Sequence, residues 1–473
     1  MNLEIIIAFG IYFIILGTIG FFAYKQSKKS SDFILGARSL NYWVTALAAH
    51  ASDMSGWLFM GFPAAIYARG PIEIWTAIGL VFFMYLNWKL IAPKLRTLTE
   101  TYQSLTLSSF FEERFADKSG LLRTVSALFC LLFFTFYIAA NFVALGHLFE
   151  SIFNISYTTG IAFGSLVIFY ILLGGYLSIA WVDFFQGVFL LCMILLVPTV
   201  AFFNTQGISQ IISNANLHNI SLQFLPDSFN HFLTIIMLAA GWGLGYFGQP
   251  HIVTKFMGIK DVRDMHKAQR VGLSWQTITL IGAICVGLVG MAFFPQGLEN
   301  NELIFVVMTK QLFTPFFAGI ILCAILASAI NVIGAQVLSS ASTLAEDFYK
   351  KFIQEKNPAI SRYRVQWASR TSVVIICLLA LIFAFSNREK TVYELVYYAW
   401  AGLGCSFGPL VLFSLHSKMK NKYAALASII MGGTVAGLWP YFNISVPSMI
   451  PGFAASLLSL IVVSLLNSNP FRK

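Results

Sequence analysis

Two short runs hold the residues whose types and spacing suit chemistry. The first is Ala51-Ser52-Asp53-Met54-Ser55-Gly56-Trp57, inside an apolar stretch from about Asn41 to Tyr67. A carboxylate at membrane depth is costly unless it faces a partner or a wet cavity, so Asp53 is a candidate ion or ligand contact. The plainer alternative is a polar packing residue in a kinked helix. The small residues Ala51, Ser52, Ser55 and Gly56 weaken helix propensity there and let a ligand reach the backbone. The second run is Gly241-Trp242-Gly243-Leu244-Gly245-Tyr246-Phe247-Gly248-Gln249-Pro250-His251. Its glycines and proline make a continuous helix unfavourable. Freed backbone groups are tolerated at this depth only where protein or a cavity satisfies them. Trp242 and Tyr246, four apart, share one face and present an aromatic wall with two polar tips, as a ligand pocket would. Glycine-mediated helix packing is the alternative.

The elements that carry these runs follow from composition. The chain has 473 residues, 58% hydrophobic and 11% charged, against about 25% charged in a soluble domain. An all-α polytopic membrane protein is expected, with the lipid bilayer as its surroundings. Apolar runs predict thirteen transmembrane helices, near 3–23, 41–67, 72–93, 121–148, 155–174, 178–203, 230–256, 268–294, 313–344, 366–386, 392–416, 422–441 and 447–468. With the N-terminus outside, the basic residues gather in the inner loops, Lys255 among them. Only Arg69, Lys310, Arg388 and Lys390 then fall outside. The positive-inside rule therefore predicts the N-terminus outside and the C-terminus inside. Spread over short loops, the net charge of +10 reads as topogenic, and a nucleic-acid partner is not expected.

Of twenty acidic residues, only Asp53 and Asp183 fall well within expected spans. Asp183 reads either as part of an ion path or as a hydrogen-bonded structural acid near the inner mouth. The six cysteines form no C-x-x-C pair, and no H-x-x-E-H or Ser/His/Asp spacing is present. Neither a metal centre, an organic cofactor, an enzyme activity nor an obligatory protein partner is signalled.

The two breaks fall in the second and seventh expected spans. Five spans separate them, an odd number, so the two units enter the bilayer from opposite sides. This is an inverted repeat. It divides the chain into 1–40 (first helix and basic loop), 41–203 (first repeat), 204–416 (second repeat) and 417–473 (two final helices). Half-helix ends then present N–H groups to an anion and carbonyls to a cation. The pattern proposes a secondary transporter for a small carboxylate- or hydroxyl-bearing solute, coupled to a cation.

At these residues the chain resembles the sodium/solute symporter family, most closely its bacterial proline-carrying members. The resemblance runs almost from end to end. It covers Leu35-Gly36-Ala37-Arg38-Ser39-Leu40, the Ala51–Trp57 run and Leu132-Phe133-Phe134-Thr135-Phe136-Tyr137. It continues through Gly174-Gly175, Trp181-Val182-Asp183, the Gly241–His251 run, Glu346-Asp347-Phe348-Tyr349-Lys350, Tyr398-Ala399-Trp400-Ala401-Gly402 and Gly408-Pro409. The resemblance implies a LeuT-type 5+5 fold with an extra N-terminal helix, in a bacterial cytoplasmic membrane. It implies proline as substrate, against Ser55, Gly56, Tyr137, Trp242, Tyr246 and Pro250. It also implies a coupling cation on the carbonyls of Ala51 and Met54, with Asp53 and Ser55 adding polar groups. Arg38 matches an arginine tied to transport near the inner mouth, and Asp183 an acid on the inward ion route.

The ninth expected helix departs from that pattern. Where sodium-coupled members carry a Ser-Thr pair, this chain has Asn331-Val332. Asn331 keeps an amide oxygen, while Val332 supplies none. A cation site short of oxygens cannot match the dehydration of sodium. Ser328, one turn away, is a partial substitute. The alternative is a proton as coupling ion, carried by Asp53 or Asp183. A solute sensor built on the same core is the competing class. It is expected to carry an output domain, and no segment between the helices is long enough for one.

Overall fold

The computed structural model describes residues 3–26, 38–165, 176–354 and 362–467. Leu35-Gly36-Ala37 and Gly174-Gly175, quoted above, lie outside them. The described residues are helical apart from turns, with one isolated bridge between Leu40 and Ile259. In chain order the helices are α1 (Leu3–Gln26), α2 (Tyr42–Ala51), α3 (Gly61–Arg69), α4 (Ile74–Leu86), α5 (Ala92–Thr101) and α6 (Leu107–Arg114). Then come α7 (Leu121–Phe153), α8 (Tyr157–Gly164), α9 (Tyr176–Phe203), α10 (Ile208–Leu217), α11 (Phe229–Gly243), α12 (Pro250–Met257) and α13 (Met265–Phe293). The last are α14 (Ile304–Leu312), α15 (Pro315–Ser342), α16 (Arg362–Ser386), α17 (Val392–His416), α18 (Lys422–Leu438) and α19 (Met449–Asn467).

Among the described residues, ten stretches are long and apolar enough to cross a membrane. Three expected spans are not among them. The 41–67 span is split into α2 and α3, and the 155–174 span lies only partly within the described residues. The apolar part of α16, Arg370–Ser386, is short. The short helices α6, α10 and α14 occupy segments that the sequence left as connections.

The core sits where α7, α15 and α17 run together, the spans with the largest buried share. The helix pair α18 and α19 packs on α17, while α1 packs on α15 and α9. The broken pairs α2/α3 and α11/α12 lie within this frame. Their local chemistry explains the breaks. Asn41 caps α2 by accepting the Val44 N–H at 2.9 Å. Ser52 then turns its hydroxyl back onto the Ala49 carbonyl at 3.3 Å, and the Ser55 hydroxyl accepts the Trp57 N–H at 3.2 Å. Serines that satisfy the backbone locally compete with helix continuation. In the second break the chain tightens over Leu244–Gly248, passes through an extended Gln249 and restarts with Pro250 at the first turn of α12. Proline there gives up an N–H that would be orphaned anyway.

At the α2 and α12 ends furthest apart in sequence, the two broken helices are stitched together. Leu40 N–H donates to Gly258 O at 3.2 Å, and Lys260 N–H to Leu40 O at 2.9 Å. Arg38 donates to the carbonyls of Met257 and Thr99 at 3.0 Å and of Ser104 at 3.2 Å. Arg96 reaches Ile259 O at 2.8 Å.

On the same side, the turn before α7 is held by Asp117. It accepts the Leu122 N–H at 2.9 Å, the Ser119 N–H at 3.0 Å and the Lys422 ammonium at 2.9 Å. Burial alone would raise this carboxyl, but the bonds from Ser119, Leu122 and Lys422 outweigh it and hold it well below the usual carboxylate range. A depressed carboxyl stabilises the fold above its unfolded value and loses that contribution as pH falls through the folded one. Asp117→Asn is therefore expected to cost about 1–3 kcal/mol. The loss in detergent-solubilised thermal stability should be equal at pH 7 and pH 5, narrowing only below about pH 4.

Candidate substrate and ion site

The two breaks face each other across a narrow cavity of about 10 Å³, lined by Asp53, Met54, Ser55, Trp57, Leu80, Tyr137, Trp242, Tyr246, Val396 and Trp400. That is room for about one water molecule, so the walls stand close together and have to part to admit a solute. Asp53 is 7% exposed and accepts a hydrogen bond from the Tyr246 hydroxyl. That hydroxyl in turn accepts from Gln276 Nε2 on α13 at 2.8 Å. The chain of donors runs one way, Gln276 to Tyr246 to Asp53, and leaves the other Asp53 oxygen for a ligand.

Tryptophan and tyrosine rings close the cavity toward the α3 end. Trp57 lies 4.9 Å from Trp242, whose Nε1 donates to the Tyr393 hydroxyl at 3.0 Å. The Arg69 guanidinium sits 5.2 Å over the Tyr393 ring and pairs with Glu73 at 2.6 Å. Glu302 accepts the N–H groups of Val392 and Tyr393 at 2.9 and 3.0 Å, fixing the start of α17 beneath this stack. Freed backbone in the second break is satisfied from neighbouring helices. Asn87 Nδ2 donates to Tyr246 O at 3.0 Å, and Trp400 Nε1 to Trp242 O at 2.8 Å. Gln249 Nε2 donates to Trp400 O at 3.0 Å.

Gly245 has to be glycine here. A Cβ at this position would stand 2.1 Å from Trp400 Nε1. Gly245→Ala is expected to displace Trp400, break its bond to Trp242 and cost about 1–3 kcal/mol through overpacking. Thermal unfolding and substrate uptake should fall together, the latter because a cavity wall has moved.

The residues expected at the site separate into groups. Asp53, Met54, Ser55, Tyr137, Trp242 and Tyr246 line the central cavity. Gly56 does not; a Cβ there would meet that of Ala144 at 2.9 Å, so it packs against α7. Pro250 lines a second cavity of about 30 Å³ on the α12 side, together with Thr254, Lys255, Ala335, Ser339 and Thr343 among others. Among the described residues, no hydrogen bond ends on the carbonyls of Ala51 or Met54. α15 packs against α2 and against the Gly56–Leu58 turn. On α15, Asn331 is buried with neither amide atom partnered, Val332 is buried, and the Ser328 hydroxyl donates to Ile325 O at 2.7 Å. Arg38 belongs to the stitch between the broken helices and not to the cavity. Asp183 accepts from the Lys255 ammonium at 2.9 Å, both side chains fully buried. Lys255 is thus no loop residue, as its charge had suggested.

Sequence reasoning missed Gln276, Asn87, Trp400 and Lys255 as contributors. Gln276 and Asn87 are lone amides inside apolar runs, and an amide at that depth is the signal that could have found them.

Comparison with known proteins identifies the family. The sodium:solute symporter family profile matches residues 33–432. The chain belongs to that family. Two curated relatives in Bacillus subtilis (strain 168) are similar over nearly their whole length. The osmoregulated proline transporter OpuE is 39% identical over 480 residues, 99% of this chain and 96% of that protein. The high-affinity proline transporter PutP is 41% identical over 464 residues, 96% of each. Among solved structures, the substrate-bound outward-open state of a Na+-coupled sialic acid symporter aligns with a TM-score of 0.83 at 18% identity, covering 98% of both chains. At that identity the likeness speaks for the symporter fold alone.

Proposed function

We propose that this symporter imports proline across the bacterial cytoplasmic membrane, driven by a cation gradient. The observation that carries the reading is the small aromatic-walled cavity with one carboxylate at a helix break. Proline is a compact zwitterion with an apolar ring. It calls for an acceptor beside its secondary ammonium, helix N-termini for its carboxylate and aromatic faces for its ring. Relatives at about 40% identity over nearly the full length are named for proline transport. The working architecture is thirteen spans with the N-terminus outside, repeats over 41–203 and 204–416 and the α3 end of the cavity outward. In it, Ser55, Gly56, Tyr137, Trp242, Tyr246 and Pro250 serve the substrate, and Arg38 and Asp183 the inward route.

The coupling ion is sodium by family. The cation site would use Ala51, Asp53, Met54, Ser55 and Asn331, with Val332 in place of a hydroxyl. That substitution favours a second reading, in which a proton replaces sodium and Asp53 or Asp183 carries it. Uptake of radiolabelled proline into proteoliposomes, with sodium and proton gradients imposed separately, decides between them. A pH gradient without sodium is expected to drive uptake in the second reading. Full sodium stimulation indifferent to pH would sink it, and no uptake of proline under either gradient would sink the substrate assignment.

A further inference from the structure

His251 stands beside the site with no role in it, and like Asn331 it is a buried polar side chain with every polar atom unpartnered. The ring is fully buried and neither Nδ1 nor Nε2 has a hydrogen-bond partner. A buried polar group without a partner costs roughly 1–3 kcal/mol, and such orphans in folded proteins call for an explanation. The other histidine at this depth is different: His50 Nε2 accepts from Trp88 Nε1 at 3.1 Å.

The position of His251 supplies the explanation. It follows Pro250 in the first turn of α12, where the half-helix N-terminus adds partial positive charge. Its ring stands edge-on to Tyr137, centroids 5.7 Å apart at 89°, and near Phe134 at 5.6 Å. Tyr137 lines the central cavity, whereas Pro250 beside it and Lys255 one turn on line the second cavity. The imidazole therefore stands in the partition between the two. A neutral imidazole has one N–H donor and one acceptor. A substrate crossing this partition with a carboxylate would find a ring donor and a helix N-terminus. Lys255, the nearest cation on α12, is already held by Asp183 at 2.9 Å.

We propose that His251 donates a ring N–H to the carboxylate of the amino-acid substrate as it passes from the central cavity to the second one. The assignment rests on the proline-symport reading above. It places the carboxylate end of the zwitterion at His251 and leaves Asp53 to the coupling cation. His251 is thereby a specificity residue that discriminates a free α-carboxylate from an ester or amide.

The test is equilibrium binding of radiolabelled proline to the purified full-length protein, competed by proline and by prolinamide, which lacks the carboxylate. The wild type is expected to favour proline. His251→Met and His251→Phe, which have no donor, should weaken proline binding about 10- to 100-fold and leave prolinamide unchanged, the loss of one charge-assisted hydrogen bond. His251→Asn, which restores an N–H donor, should recover much of the preference. Monodispersity and thermal midpoint identify any variant that fails to fold, and the remaining variants decide the outcome. If all folded variants keep the wild-type ratio of proline to prolinamide affinity, whether or not both affinities fall, His251 is a packing residue and the proposal is wrong. A wild-type protein that binds no proline at all would overturn the substrate reading, and this assignment with it.

Discussion

Replacing Asp53 by Asn is expected to abolish cation-stimulated uptake while leaving the helices folded. The amide has the size of the carboxylate, and its oxygen can still accept from Tyr246, which Gln276 keeps oriented. What is lost is the charge. For a cation about 4 Å from a carboxylate in surroundings of effective dielectric near 20, the attraction is about 4 kcal/mol. At 1.4 kcal/mol per factor of ten, that is a loss of cation affinity of roughly a hundred- to a thousandfold. The half-saturating cation concentration for uptake should rise out of reach, with the thermal midpoint moving little. An unchanged cation dependence in Asp53→Asn would remove this carboxylate from the cation's surroundings.

The second large effect is expected at the buried pair Asp183 and Lys255. Removing one partner of a buried ion pair strands the other charge and typically costs about 3–5 kcal/mol. Asp183→Ala should therefore yield poorly folded protein. Replacing both, as Asp183→Ala with Lys255→Met, removes the stranded charge and is expected to restore most of the stability. This double variant separates the two readings of Asp183. A folded double variant that transports normally makes the pair structural. A folded variant that binds proline but releases it slowly inward makes Asp183 part of the ion route. The measurements are thermal unfolding, proline binding and the rate of uptake on the same preparations.

The parts of this protein legible in sequence are those whose cause is local. Four glycines and a proline around Tyr246, and two serines flanking Asp53, break helices wherever they are placed, so both interruptions could be read directly. The aromatic pair Trp242 and Tyr246 meets at the cavity as expected, although the α-helix ends at Gly243 between them and the shared face comes from the tighter turn that follows. Partners brought in from distant segments were not legible. Nothing near Lys255 in the chain says that its ammonium will meet Asp183, 72 residues away. A lysine five residues past a proline therefore reads as the beginning of a loop. Gln276 is likewise invisible as a partner of Tyr246 until α13 is laid beside the second break. The short helices α6, α10 and α14 escaped because eight to ten residues give too little periodicity to separate them from polar connections.

The stitch at Leu40 and Ile259 bears on how such a molecule moves. Two backbone hydrogen bonds, with Arg38 and Arg96 anchored on the carbonyls of Met257 and Ile259, join the ends of α2 and α12. The joint is made of main chain and short in reach, so moving one half-helix without the other would break its hydrogen bonds. The pair behaves as a single yoke with its pivot at the unwound residues around Asp53 and Gln249. Any tilt of this yoke is delivered to both sides of the cavity at once.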